Sequence, residues 1–534
     1  MKTLPLCVVL AALLSACVIA PTPSPATPPR ADLLITNARI VDGTGNPWYR
    51  GAIAITRGRI SGVGAIDNAL VADRSIDAKG RIVAPGFIDV HAHVEIGIHE
   101  RPTADNYVHD GVTSLVTGNC GGSDDDVDAF LKKIDEGTSV NVATLVGHNT
   151  VRRQVIGLAN RKANADELSA MKSKVEAAMR AGAVGFSTGL IYLPGLFSDT
   201  DEVVALAGAA AAYGGLYATH MRNESNKVAE AIREALDVGR RNAMPVQISH
   251  FKLSGNANWG RSVETLGLIE SARRAGVDVT IDQYPYTASS TSLSALLPDE
   301  ALDGGHEAAR TRIRDASQRK TIAEKILQSA RNTRRPSFAY AVVANFAPDP
   351  SLNGKSIADI NVAMGRSATM DNEVETILDL FLAGNPQMVF HGMSEDDVKR
   401  IMAYPFNMIA ADGGVQSGRG MPHPRSYGTN ARVLGKYVRE DNVVRLEEAV
   451  RRMTSLPAQR FRLNDRGLLR EGFAADIVVF DDQTIADRAT FASPHQYPAG
   501  IDVVIVNGQT VIEHGAHTGA KPGRSLRGPG YARN

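Results

Sequence analysis

The chain has 534 residues, 43% of them hydrophobic, with 58 basic and 58 acidic side chains. That length can bury a large core and more than one structural unit. A net charge of zero excludes a chain-wide basic surface for nucleic acid or anionic membranes.

Residues 1–17 read as a targeting signal outside the fold. Lys2 precedes an apolar run from Leu4 to Leu14, too short for a membrane-spanning helix. The run ends in Leu14-Ser-Ala-Cys17, which resembles the lipobox of bacterial lipoproteins. That resemblance implies cleavage before Cys17 and lipidation of the new N-terminus. Residue 18 is Val, so the aspartate of the inner-membrane retention signal is absent. The expected location is the bacterial cell envelope, lipid-anchored, at the outer membrane facing the periplasm. An ordinary secretory signal with Cys17 inside its apolar segment is the alternative. Residues 18–30, with five prolines, would form a stiff tether. Of the three cysteines, Cys7 leaves with the signal and Cys17 carries lipid, so Cys120 has no partner for a disulfide. It is an inert buried residue, a metal ligand or a nucleophile.

Residues 32–41 and 51–56 alternate apolar and polar between turn signals, and 475–480 and 503–508 have the same character. The two ends, 31–84 and 467–534, are therefore expected to contribute strands to one flanking β-sandwich. Between them, over 85–466, strand-like runs alternate with amphipathic segments. Strands are predicted at 86–93, 113–120, 141–148, 183–188, 215–220, 245–250, 277–284 and 406–412. Helices are predicted at 164–182, 226–241 and 263–276. In the first, Asn164 and Glu167 form a capping box, Leu168, Met171, Val175 and Met179 form one stripe, and Gly182 ends it. Eight strands with intervening helices give an α/β fold class, a (β/α)8 TIM-like barrel. Residues 287–346 interrupt the rhythm and exceed a plain loop, so a small inserted lid is expected there.

The first barrel strand ends in His91-Ala92-His93. Residues i and i+2 of a strand share a face, so both imidazoles can reach one ion. Alone, such a pair is weak evidence. Cys120, His220, His250 and Asp412 also fall at predicted strand ends, and active sites of this fold lie at that end. Scattered core histidines would not select it repeatedly.

Pro85-Gly-Phe-Ile-Asp-Val-His-Ala-His93 and the segment from Gly472 to Asp481 resemble the amidohydrolase superfamily. Gly118-Asn-Cys-Gly121, Thr219-His-Met-Arg-Asn-Glu224, Ser249-His-Phe-Lys252 and Ala411-Asp-Gly-Gly414 narrow the resemblance to its D-aminoacylase (N-acyl-D-amino-acid deacylase) group. It implies one tight zinc held by Cys120, His220 and His250, with His91, His93 and Asp412 as a weaker second position. Cys120 would stand where most barrel amidohydrolases place a carboxylated lysine, which argues against a hydantoinase-like enzyme. Asp412 would be the general base; standing alone it would read equally as a turn carboxylate. For the substrate carboxylate the resemblance suggests Lys252, Tyr192, Tyr284 and Arg425, with Ser290 a weaker candidate. His148, His391 and His423 are expected to be structural or to support the ligands. Members of the group often carry Asp soon after the His-x-His, whereas this chain has Val94-Glu95, which puts substrate preference in doubt more than reaction type.

The implied function is zinc-dependent hydrolysis of N-acyl-D-amino acids to a carboxylate and a D-amino acid. The alternative is a dipeptidase acting on peptides with a C-terminal D-residue, and a less favoured one is a non-catalytic envelope binding protein. The partner expected is a small molecule; the membrane is met only through the N-terminal lipid, and no nucleic acid is bound.

Overall fold

Eight short parallel strands form the barrel of the computed structural model, which describes residues 30–67 and 69–531. They are β1 (Phe87–Asp89), β2 (Val112–Thr117), β3 (Asn141–Thr144, continued by Val146–Gly147), β4 (Gly185–Gly189), β5 (Leu216–His220), β6 (Val246–Ile248), β7 (Val279–Gln283) and β8 (Asn407–Ile409). Each lies inside a run predicted as a strand or within a residue of it. Every residue of all eight is buried, as expected for strands covered on both faces. The ring closes beyond the strand ends, where Asp412 N donates to His91 O at 2.9 Å and His93 N to Gly413 O at 2.8 Å.

Helices cover the barrel as their sequence patterns dictate. Ala165–Ala181 starts at the reciprocal Asn164–Glu167 capping box and ends at Gly182, which takes a left-handed φ of 116°. Met171, Val175 and Met179 face the core from it; Leu168 is only half-buried. Thr200–Ala211, Val228–Asn242 and Ser262–Arg274 follow β4, β5 and β6.

The two chain ends meet in one nine-stranded sheet. Its N-terminal strands are Arg30–Ile40, Tyr49–Thr56, Arg59–Gly64, Val71–Asp77 and Ile82–Pro85; Ile477–Phe480, Ile501–Val506, Gln509–Glu513 and Ala516–His517 come from the other end. The two sets join where Ile82–Pro85 pairs antiparallel with Ile477–Phe480. The layers of the expected sandwich are thus one hydrogen-bonded sheet, with Val71–Asp77 branching from Arg30–Ile40, around a core that includes Ile35, Ile53, Val83, Ile477 and Ile505. Gly86 carries the chain from this sheet into β1; a Cβ there would lie 2.3 Å from the Thr113 side chain, so no larger residue fits.

The inserted unit is larger than residues 287–346. Ala288–Ser292 and Ala341–Asn345 both pair antiparallel with Gln387–His391, which lies between them. Four helices, His306–Arg314, Ala316–Asn332, Ile357–Ala363 and Met370–Ala383, pack on this sheet around a separate core that includes Leu293, Ile326, Ile377 and Phe381. Pairing of 387–391 with both earlier strands, and this shared core, extend the insertion past residue 346.

No helix among the described residues is long and apolar enough to cross a membrane. Cys17 and the proposed signal and tether through residue 29 lie outside the described residues.

Candidate metal centre and active site

The predicted metal residues converge at the C-terminal mouth of the barrel. Cys120, His250 and Asp412 each lie just beyond a strand and take left-handed backbone, with φ of 52°, 34° and 50°. Non-glycine residues are strained in that conformation and hold it where the surroundings over-determine it, often at functional sites. Here it turns the side chains inward instead of letting them continue along the strand.

Cys120 Sγ is the hub. It lies 3.3 Å from His91 Nε2, 3.7 Å from His220 Nδ1 and 3.6 Å from His250 Nε2. A tetrahedral zinc with its ordinary bond lengths would separate sulfur and nitrogen ligands by about 3.5 Å, so this donor set fits the ion. Its chemistry fits too, since imidazole and thiolate are natural zinc ligands. Burial holds the His220 and His250 imidazoles well below their ordinary pKa, leaving neutral rings able to donate a lone pair. Burial also pushes the Cys120 thiol up to about 11. His220 Nε2 and His91 Nδ1 are buried without a hydrogen bond.

A second donor set lies beside the first. Asp412 Oδ1 is 3.2 Å from His93 Nε2 and 3.5 Å from His91 Nε2. Cys120 therefore faces both groups through His91, as a ligand between two positions would.

Several residues that hold this arrangement were not singled out from the sequence. Asp282, in β7, accepts from His250 N and from Gln247 Nε2, each at 2.7 Å, and lies 3.4 Å from His91 Nδ1. Asp89 accepts from His91 N at 2.9 Å and Ala411 N at 3.0 Å, tying β1 to the chain beyond β8. Burial raises its carboxyl to about 7. Glu224 closes the motif that begins at Thr219, and its carboxylate reaches Lys252 at 2.6 Å and His250 Nδ1 at 3.0 Å. Its place four residues after His220, beyond a strand end, was the available signal. Glu95, which stands where the group often carries Asp, has a definite place: its Oε1 accepts from Thr117 Oγ1 and Gly118 N, both at 2.6 Å. It braces the turn that presents Cys120.

A cavity of about 680 Å³ opens onto the centre, with His93, Cys120, Tyr192, Ser290, Asp412 and Arg425 among its walls. Burial drives the Tyr192 phenol well above its ordinary pKa, so it stays a donor; its oxygen accepts from Thr291 Oγ1 at 3.2 Å. Arg425 Nη1 lies 2.9 Å from Asp412 Oδ2, and Arg425 Nη2 donates to Ser290 O at 3.4 Å.

Lys252 and Tyr284, expected to contact the substrate carboxylate, are each engaged within the protein. Both are buried, and neither lines the cavity. The Lys252 ammonium is engaged by Glu224 and by His250 O at 3.1 Å. The Tyr284 ring lies behind Arg425, whose Cζ is 4.5 Å from its centroid. Loop position relative to a strand end does not reveal which charged side chain already has a partner.

The remaining histidines divide by surroundings. His423 Nε2 contacts Ala288 O at 2.9 Å and its Nδ1 accepts from Arg425 N at 3.0 Å, so it fixes the start of the Arg425 segment. His148 lies 2.8 Å from Glu202, which also pairs with buried Arg152, away from the metal residues. His391 packs edge-on against Phe491.

A family model described as the amidohydrolase family matches residues 74–512. The D-aminoacylase of Alcaligenes xylosoxydans xylosoxydans is 36% identical over 519 residues, covering 93% of this chain and 97% of that protein. The N-acyl-D-glutamate deacylase of the same organism is 37% identical over 521 residues, with the same two coverages. Among solved structures, N-acyl-D-glutamate deacylase from Bordetella bronchiseptica, complexed with zinc and a phosphonate inhibitor that mimics the tetrahedral intermediate, superposes with a TM-score of 0.81 at 35% identity. That likeness covers 93% of this chain and 100% of that one.

Proposed function

The chain belongs to the amidohydrolase family, and from that premise we propose that it is a zinc-dependent amidase releasing D-amino acids from N-acyl-D-amino acids. The observation that carries this reading is that His220 Nδ1 and His250 Nε2 both face Cys120 Sγ, at 3.7 and 3.6 Å, with Cys120 and Asp412 on the cavity wall. Bound zinc supplies Lewis-acid polarisation of the amide carbonyl and a water of lowered pKa. Asp412 takes the proton of the attacking water and delivers it to the departing amine. Its carboxyl stays ionised and so has a lone pair to accept with. Burial opposes ionisation, but Arg425 and His91 outweigh it and hold the pKa well below the usual range. Arg425 presents the cation for the substrate carboxylate from the same wall, with Tyr192 and Ser290 as neutral donors.

The roomy cavity also admits a residue on the acyl side, which favours dipeptides with a C-terminal D-residue as the second substrate class. Screening N-acetyl-D-, N-acetyl-L- and L-Xaa-D-Xaa compounds tests both. Turnover confined to D-configured substrates, with zinc found by elemental analysis, is expected. Turnover of the L-series alone, or full activity without metal, would overturn the reading.

We further infer lipid anchoring at Cys17 in the cell envelope, supported by Leu14-Ser-Ala-Cys17 and the proline-rich run after it. Mass spectrometry of the mature N-terminus should find a diacylated Cys17; an unmodified terminus elsewhere would remove the anchor.

A further inference from the structure

We propose that Glu224 is a positioning residue that sets which nitrogen His220 and His250 present to the metal, with Lys252 as its counter-cation. The inference rests on the zinc reading above and concerns residues behind the ligands.

His250 turns Nε2 toward Cys120 and Nδ1 toward Glu224 Oε1, at 3.0 Å. His220 is arranged the opposite way: Nδ1 faces Cys120, and Nε2 lies 3.7 Å from Glu224 Oε2. One carboxylate therefore lies behind both rings, one oxygen toward each. A neutral imidazole carries one proton and one lone pair, and the nitrogen not bound to metal must carry the proton. Glu224, which only accepts when ionised, favours that proton on the outer nitrogen of each ring. It thereby leaves the inner lone pairs free.

Lys252 gives this role its force. Its Nζ lies 2.8 Å from His250 Nδ1 and 2.6 Å from Glu224 Oε1. An ammonium carries only donors. If it donated to Nδ1, His250 would carry its proton on Nε2, the nitrogen that faces Cys120, and the ring could not bind metal. Glu224 resolves the conflict by accepting from both Lys252 and His250 Nδ1. His220, Glu224 and His250 also lie close enough together to be read as a metal site of their own. With the Lys252 ammonium against the Glu224 carboxylate, a second cation there is disfavoured, and the nitrogens in question are those pointing away from Cys120.

The test is competition of zinc against a chromogenic chelator, with circular dichroism to check folding. Tight binding by the wild type carries the zinc reading. Glu224→Gln is expected to bind zinc about 10- to 100-fold more weakly, and Glu224→Asp to fall between the two. Adding Lys252→Met to Glu224→Gln is expected to recover part of the loss, because no ammonium is left to donate to His250 Nδ1; a simple packing defect would worsen instead. Wild-type affinity in folded Glu224→Gln, or a double variant weaker than the single one, would overturn the role of Glu224 while leaving the zinc reading intact.

Discussion

Asp412 Oδ2 and Arg425 Nη1 lie 2.9 Å apart, so the proposed base and the proposed substrate-carboxylate anchor form one ion pair on the cavity wall. The pairing has two consequences. It holds the Asp412 carboxyl well below its ordinary pKa against the opposing effect of burial. It also fixes the guanidinium against the Tyr284 ring, leaving Arg425 with one face toward the cavity.

Replacing Arg425 by Met should therefore change the pH profile as well as substrate binding. A carboxyl with a lowered pKa is ionised throughout the neutral range, and activity that needs it disappears only as pH falls through that pKa. Without Arg425 the pKa moves upward, so the acid limb of kcat/KM moves to higher pH. A lost charge-assisted hydrogen bond of about 1.5–3 kcal/mol corresponds to about a 10- to 150-fold loss in kcat/KM, seen largely in KM. An unchanged acid limb with a raised KM would leave Arg425 as an anchor only.

Asp412→Asn removes the proposed base while keeping a side chain of the same shape. The tight zinc proposed at Cys120, His220 and His250 should remain, and kcat should fall by about 10²- to 10⁴-fold. Elemental analysis and steady-state kinetics on the same preparation separate the two effects. Wild-type-like hydrolysis would remove Asp412 as the base.

The barrel and the clustering of the candidate ligands at its mouth were legible because both depend on short-range sequence pattern. Buried parallel strands read as apolar runs, and their C-terminal tips carry His91, His93, Cys120, His220, His250 and Asp412. What escaped depends on pairing across long separations. The strand Gln387–His391 shows its membership of the insertion only by its partners, nearly 50 and 100 residues earlier. Lys252 looks like a free cation in sequence and becomes a bound one only when Glu224, 28 residues before it, folds back against it. Asp89 and Asp282 read as ordinary strand residues because nothing local marks an aspartate as a brace for a distant backbone.

Zinc uptake should be proton-linked through Cys120. A thiol pushed up to about 11 keeps its proton at neutral pH, and it must release that proton to bind as thiolate. His220 and His250 are already neutral there and release none. Affinity for the tight zinc should therefore rise with pH across the neutral range. Chelator competition at several pH values gives the slope directly. Cys120→Ala should lose both the tight ion and the slope; tight zinc retained in that variant would remove Cys120 from the ligand set.

Gly189 tests whether the backbone at Cys120 is as constrained as its φ of 52° implies. It ends β4, and a Cβ on it would lie 2.0 Å from Cys120 O and 2.8 Å from Tyr192 Cδ2. Backbone cannot yield cheaply, so Gly189→Ala must displace the Cys120 turn or the Tyr192 ring. Overpacking of this kind costs about 1–3 kcal/mol, which urea unfolding of the metal-free protein would measure. Because the displaced atoms belong to the turn that aims Sγ, zinc affinity should fall together with stability. A variant that loses stability but keeps wild-type zinc affinity would show that the strain is absorbed at Tyr192, and KM would then carry the defect.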